Sequence, residues 1–116
     1  MNWDFVTYEL AVKLNRKGFD KDTVHYYNEL GQICVSLVDE EYPYPCPTIS
    51  KVLKWLREEK GIFVDIRFNR HYQLYKYYVF TMSAEGEDMY GEYPVDTYEQ
   101  AALAGIEYCL DNLIEL

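Results

Sequence analysis

The pattern of apolar and polar positions divides the chain into three amphipathic segments and two pairs of strand-like segments. The first amphipathic segment predicts a helix from about Tyr8 to Lys17, with Thr7 as its N-cap and Gly18 as its left-handed terminator. Three apolar residues of this segment recur on one face at helical spacing: Leu10, Ala11 and Leu14.

The same spacing predicts two further helices. The second begins after Thr48 and ends at Gly61, and Trp55 lies at the edge of an apolar stripe made by Ile49, Val52, Leu53 and Leu56. The third occupies the C-terminal segment, where Thr97 and Gln100 have the spacing of a capping box. Its stripe consists of Ala102, Ile106, Cys109, Leu110 and Leu113.

Strand-like segments occur as two hairpins, one after each of the first two helices. "TVHYYN" and "QICVSLV" flank the turn-like residues 29–31, and "IFVDIRF" is followed by "LYKYYVFTM". Both faces of the last segment are rich in aromatic residues, so its pattern leaves open which face is buried. Between the first hairpin and the second helix, Pro43, Pro45 and Pro47 predict an extended connector and exclude a helix or a central strand.

These elements follow one another in the order α-β-β-α-β-β-α. Hairpins joined through helices predict an α+β fold, with a mainly antiparallel sheet and the helices packed on one face. A length of 116 residues predicts a single domain, residues 1–116, that is large enough to bury its own core.

Charge and cysteine usage narrow the range of partners and compartments. The formal net charge of -9 argues against nucleic acid and anionic membranes as partners, because both repel a net anion. Three cysteines without a C-x-x-C pair fit a reducing compartment better than a disulfide scaffold. With neither a secretory leader nor an apolar run of membrane-spanning length in the sequence, we expect a soluble cytoplasmic protein.

Catalytic and cofactor signatures give little support to an enzyme. The two histidines, His25 and His71, have no nucleophile or base partner at a recognisable spacing. The cysteines and histidines offer no pair of close zinc ligands, and no glycine-rich nucleotide motif occurs. We therefore predict no catalytic residue, no metal and no cofactor.

Tyrosine is the residue type that raises a functional question, since thirteen of the 116 residues are tyrosines. The stretch "HYQLYKYYVF" (71–80) alone contains four. Burial in the core is the first interpretation, a protein interface is the second, and stacking against a small ligand or nucleic acid is the third. The candidate interface residues are Tyr72, Tyr75, Tyr77 and Trp55.

Three stretches of the chain resemble a family of short acidic proteins from bacterial genomes, their phages and mobile elements. They are "PTISKVLKWLREEKGIFVDI", "YYVFTM" and "TYEQAALAGIEYCLDNLI". The resemblance covers Pro47 to the C-terminus well and the N-terminal helix loosely. The family has no assigned activity. The resemblance therefore implies the fold and a microbial or phage origin, without a mechanism.

Three functional hypotheses follow. The leading one is a small non-enzymatic interaction or accessory protein, with a protein partner or self-association as a homodimer. The second is an acidic inhibitor or DNA mimic of a phage or mobile element. The third is an unrecognised small enzyme or ligand-binding domain, which needs a pocket where His25 or His71 meets a cysteine or carboxylate.

Overall fold

In the computed structural model, residues 4–21, 23–35, 44–81, 90–91 and 94–114 are described. The elements follow in the order α1 (Tyr8–Arg16), β1 (His25–Tyr27), β2 (Ile33–Val35), β3 (Tyr44–Pro45), α2 (Ile49–Glu59), β4 (Ile62–Asn69), β5 (Leu74–Thr81), β6 (Tyr90–Gly91) and α3 (Tyr98–Asn112). The predicted α+β class and the order of its helices and hairpins are confirmed. Two short strands, β3 and β6, add to that order.

The strands form two three-stranded antiparallel sheets, where the sequence predicted one. In the first sheet the order is β2-β1-β3, and in the second it is β4-β5-β6. β4 and β5 pair along their whole length, from Ile62 opposite Thr81 to Asn69 opposite Leu74. In the proline-rich segment, Tyr44 and Pro45 form β3 at one side of the first sheet, a position that suits a residue without an N–H. Pro43 lies outside the described residues.

Helix α1 ends one residue before the predicted position, and its two ends have the predicted caps. The hydroxyl of Thr7 accepts a hydrogen bond from the backbone N–H of Leu10. Gly18 has a φ of 88°, and the backbone N–H of Phe19 donates to the carbonyl of Leu14 at 3.0 Å. This is the Schellman arrangement, in which a left-handed glycine lets the chain reverse and satisfy the last carbonyls.

The turn between β1 and β2 depends on Asn28, which precedes the residues predicted to form it. The Asn28 side-chain oxygen accepts backbone hydrogen bonds from Leu30 at 2.9 Å and Gln32 at 3.0 Å. Gly31 completes the reversal with a φ of 78°. An asparagine that bonds to its own following backbone replaces the strong turn dipeptide that the sequence lacks.

Helix α3 packs against one face of the second sheet, so the residues of β5 on that face are the buried ones. A Cβ atom at Gly105 would lie 2.7 Å from Cγ1 of Val64 and 3.2 Å from Cγ of Tyr77, so the helix backbone approaches the sheet closely at this point. Tyr77 and Val79 are buried beneath α3. Since strand residues alternate, the face with Tyr75, Tyr77 and Val79 is the inner face of β5.

Helix α2 buries a stripe that differs in one respect from the predicted one. Ile49, Val52 and Leu56 are buried as expected, whereas Leu53 is only half-buried. Trp55 is fully inside, and its ring meets Phe19 edge to face at a centroid distance of 5.3 Å. The indole is large enough to reach the chain that leaves α1, so the predicted position at the edge of the stripe is corrected to the core.

Candidate interaction surface

The structure separates the four candidate interface residues into two pairs. Tyr77 and Trp55 are each only 3% exposed, so their rings are already covered by the chain itself. Tyr77 lies under α3, with its ring 6.3 Å from that of Tyr108. By contrast, Tyr72 is 68% exposed and Tyr75 is half-buried. We therefore retain Tyr72 and Tyr75 as candidates and assign Tyr77 and Trp55 to the core.

Tyr75 belongs to a group of rings at one end of the second sheet. Its ring lies 4.9 Å from Phe68, which is directly opposite on β4, and 6.4 Å from Tyr98, the first residue of α3. Phe68 and Tyr98 remain 48% and 44% exposed although they contact Tyr75. We name Phe68, Tyr75 and Tyr98, with Tyr72 in the adjoining turn, the aromatic end cluster.

Backbone hydrogen bonds hold this cluster in place. Tyr75 and Val95 exchange two backbone hydrogen bonds of 2.8 Å, which fix the start of α3 beside β5. In the turn between β4 and β5, the side-chain oxygen of Asn69 accepts from the N–H groups of His71 and Tyr72. The backbone that carries each ring is therefore ordered by hydrogen bonds.

Charged groups of both signs flank the aromatic end cluster. The turn between β4 and β5 carries Arg70, whose side chain is exposed. On the other side, Asp96 precedes the N-cap of α3 and Glu99 lies in its first turn. The surface thus combines exposed rings with a basic turn and an acidic helix start.

Phe68 and Tyr98 were not among the candidate residues chosen from the sequence. The alternation of apolar residues predicted that Phe68 lies on the buried face of β4. This prediction is correct, because Phe68 pairs with Tyr75, which lies on the inner face of β5. Phe68 nevertheless remains 48% exposed on this face. The sequence carries no local signal for Tyr98, because its contact with Tyr75 forms only in the folded chain.

A second candidate region tests the hypothesis of an unrecognised enzyme. An open, mainly apolar cavity of about 310 Å³ has His25 and Cys46 among its lining residues, with Phe5, Val24 and Lys51. Cys46 is 1% exposed, and burial raises the pKa of its thiol, an effect that the neighbouring Tyr27 hydroxyl opposes only in part. A nucleophilic cysteine needs the opposite shift, so this arrangement does not activate the thiol.

In the part of the chain that the structure describes, no three His, Cys, Asp or Glu side chains come together as a metal-binding group. The helices within those residues are also too short or too polar to cross a bilayer.

Comparison with known proteins adds no assignment. No protein-family model, curated protein or solved structure matches the chain.

Proposed function

We propose that the protein is a small non-enzymatic interaction protein that forms a homodimer through the aromatic end cluster. The observation that carries this proposal is the group formed by Phe68, Tyr75 and Tyr98, whose rings pack together and still leave Phe68 and Tyr98 nearly half exposed. Tyrosine and phenylalanine are enriched at protein interfaces because they contribute a large contact area at low entropic cost.

The rigidity of the cluster supports an interface. Asn69 fixes the turn that presents Tyr72, and the bonds between Tyr75 and Val95 fix the start of α3. A preorganised surface loses little conformational entropy on association, so more of the gain from burying the rings is available as affinity.

Charge distribution favours a second copy of the same chain as the partner. In a twofold dimer the same patch is present on both subunits, so a patch with both signs can be complementary to itself. Arg70 of one subunit can then face Asp96 or Glu99 of the other. This local complementarity offsets the repulsion expected between two chains that each carry a net charge of -9.

Several of the acidic residues that the structure describes form ion pairs with lysines of the same chain, which argues against a DNA mimic. Lys13 lies 3.6 Å from Glu107 and 3.1 Å from Asp111, and Lys21 lies 3.1 Å from Glu59. A DNA mimic needs an unbroken anionic ridge, and lysines between the acids interrupt one. Homodimerisation is therefore the function we favour.

The test is the substitution Tyr98→Glu, measured by sedimentation equilibrium. Glutamate is favourable in the first turn of a helix, so α3 is retained while a charge enters the proposed interface. We expect the unmodified protein to have a mass of twice 13.8 kDa at high concentration and Tyr98→Glu to remain at 13.8 kDa.

The matched control is Leu30→Glu, which introduces the same charge at an exposed apolar residue in the turn between β1 and β2 of the first sheet. This variant should dimerise like the unmodified protein. A monomeric unmodified protein, or dimers that are weakened equally by both substitutions, would overturn the proposal.

A further inference from the structure

A different surface lies on the side of the second sheet that points away from α3. Since Val64 and Tyr77 face the helix, alternation places the intervening residues of β4 and β5 on the opposite side. We name these residues the outer sheet face: Phe63, Asp65, Arg67, Lys76, Tyr78 and Phe80.

Two cations stand directly opposite each other on the outer sheet face. Arg67 and Lys76 are partners in the register of β4 and β5, and like charges in such a position destabilise a sheet. Both also converge on one ring, because the guanidinium carbon of Arg67 lies 4.5 Å and the ammonium of Lys76 lies 5.9 Å from the centre of Tyr78. An anion bound between the two side chains would relieve their repulsion.

Neighbouring acids neutralise this pair only in part. Asp65 accepts a hydrogen bond from Nε of Arg67 at 2.7 Å, which leaves the terminal N–H groups of the guanidinium for another acceptor. Lys76 makes no ion pair with any residue that the structure describes. Counted over its own described residues, the outer sheet face therefore has two cations and one anion, on a chain of net charge -9.

Aromatic rings continue this surface along the strands. Phe63 lies opposite Phe80 and is 37% exposed, four residues from Arg67 on the same strand. The guanidinium carbon of Arg67 lies 5.9 Å from the centre of the Phe80 ring, which is directly opposite Phe63. The cations and the rings therefore form one continuous surface along the strands.

We propose that the outer sheet face binds a short segment of single-stranded nucleic acid. One base stacks on Phe63, another on the guanidinium plane of Arg67, and a phosphate lies between Arg67 and Lys76. Aromatic rings and cations on an open sheet are the combination that single-strand binders use. Strand pairing creates this cation pair from residues that are nine positions apart, which the net charge does not reveal.

The test is a titration of ¹⁵N-labelled protein with short oligothymidylate, followed by amide chemical shifts. We expect shifts confined to β4 and β5 around the outer sheet face. Lys76→Gln should weaken binding about fivefold, the factor that one exposed ion pair can supply. The logarithm of affinity should fall with the logarithm of salt concentration with a slope of about -0.7, the value for one neutralised phosphate of a single strand.

Controls separate the base from the phosphate and from other anions. Phe63→Leu should weaken oligothymidylate and leave inorganic phosphate unchanged, whereas Lys54→Gln, an exposed lysine on α2, should change neither. The proposal is overturned if oligothymidylate does not bind, if Lys54→Gln weakens it as much as Lys76→Gln, or if an oligoglutamate peptide binds equally well. None of these outcomes depends on dimer formation, which is measured separately.

Discussion

At the scale of single residues, the contact at Gly105 controls how closely α3 approaches the second sheet. The added Cβ of alanine would lie 2.7 Å from Cγ1 of Val64, a branched side chain that has little freedom to move. Alanine improves helix propensity by about 1 kcal/mol, and overpacking costs about 1–3 kcal/mol. We expect Gly105→Ala to destabilise the protein by about 1 kcal/mol in urea denaturation.

The control for this prediction is Ala104→Gly, on a neighbouring half-buried position of α3. It should cost about 1 kcal/mol through helix propensity, together with a smaller loss from the methyl group that packs against the core. If Gly105→Ala instead stabilises the protein by the amount that propensity supplies, the close contact between α3 and β4 is absent.

Tyr27 is a second residue whose role is clear from its contacts. Its hydroxyl donates a hydrogen bond of 2.6 Å to the carbonyl of Val6, inside the core. We expect Tyr27→Phe to lower the free energy of unfolding by about 1–2 kcal/mol, because the buried carbonyl loses its partner. Tyr72→Phe, at an exposed turn position, should leave the unfolding midpoint unchanged, and an equal loss in both variants would contradict this role.

At the scale of elements, the capping box determines where α3 begins. Thr97 Oγ1 accepts from the N–H of Gln100 at 3.0 Å, and the Gln100 side chain accepts from the N–H of Thr97 at 3.2 Å. We expect Thr97→Ala to cost about 1 kcal/mol of stability. Ser50→Ala, on the exposed side of α2, should have no measurable effect, and a similar loss there would show that the assay does not report on the cap.

Elements that depend on local signals were predictable from the sequence. Thr7, Gly18 and the capping box act within a few residues, and each has its expected geometry. The division into two sheets was not predictable, since it depends on which distant strands pair. The same limit applies to the aromatic end cluster, because contact between Tyr98 and Tyr75 is created by the fold.

Burial of the tyrosine-rich strand illustrates the same limit. Because both faces of β5 carry aromatic residues, the sequence pattern did not indicate which face is buried. The buried face is the one against which α3 packs, with Gly105 allowing the close approach. Trp55 was placed at the edge of its helix by periodicity alone, whereas the position of Phe19 after α1 makes that edge part of the core.

At the scale of the whole molecule, buried thiols make stability depend on alkaline pH. Burial raises the pKa of Cys109 from 9.0 to about 12, and it also raises the pKa of Cys46. Their folded-state pKa values exceed the unfolded ones, so this stability is fully present below about pH 9 and is lost as pH rises. Each such group can contribute a slope of up to about 1.4 kcal/mol per pH unit.

We therefore expect the free energy of unfolding to fall between pH 8 and pH 10.5, and to fall less in Cys109→Ala. Between pH 8 and pH 10.5, the decrease in the free energy of unfolding should be about 1–2 kcal/mol smaller in Cys109→Ala than in the unmodified protein. Identical pH dependence in both would mean that the Cys109 thiol does not stay protonated in the folded core.

The most direct measurement is photochemical tyrosine cross-linking of an equal mixture of labelled and unlabelled protein, with the linked peptides identified by mass spectrometry. If two copies associate through the aromatic end cluster, the cross-links between labelled and unlabelled chains should involve Tyr72 or Tyr98. Links only through tyrosines elsewhere, such as Tyr8 or Tyr44, or no link between different copies, would contradict the account.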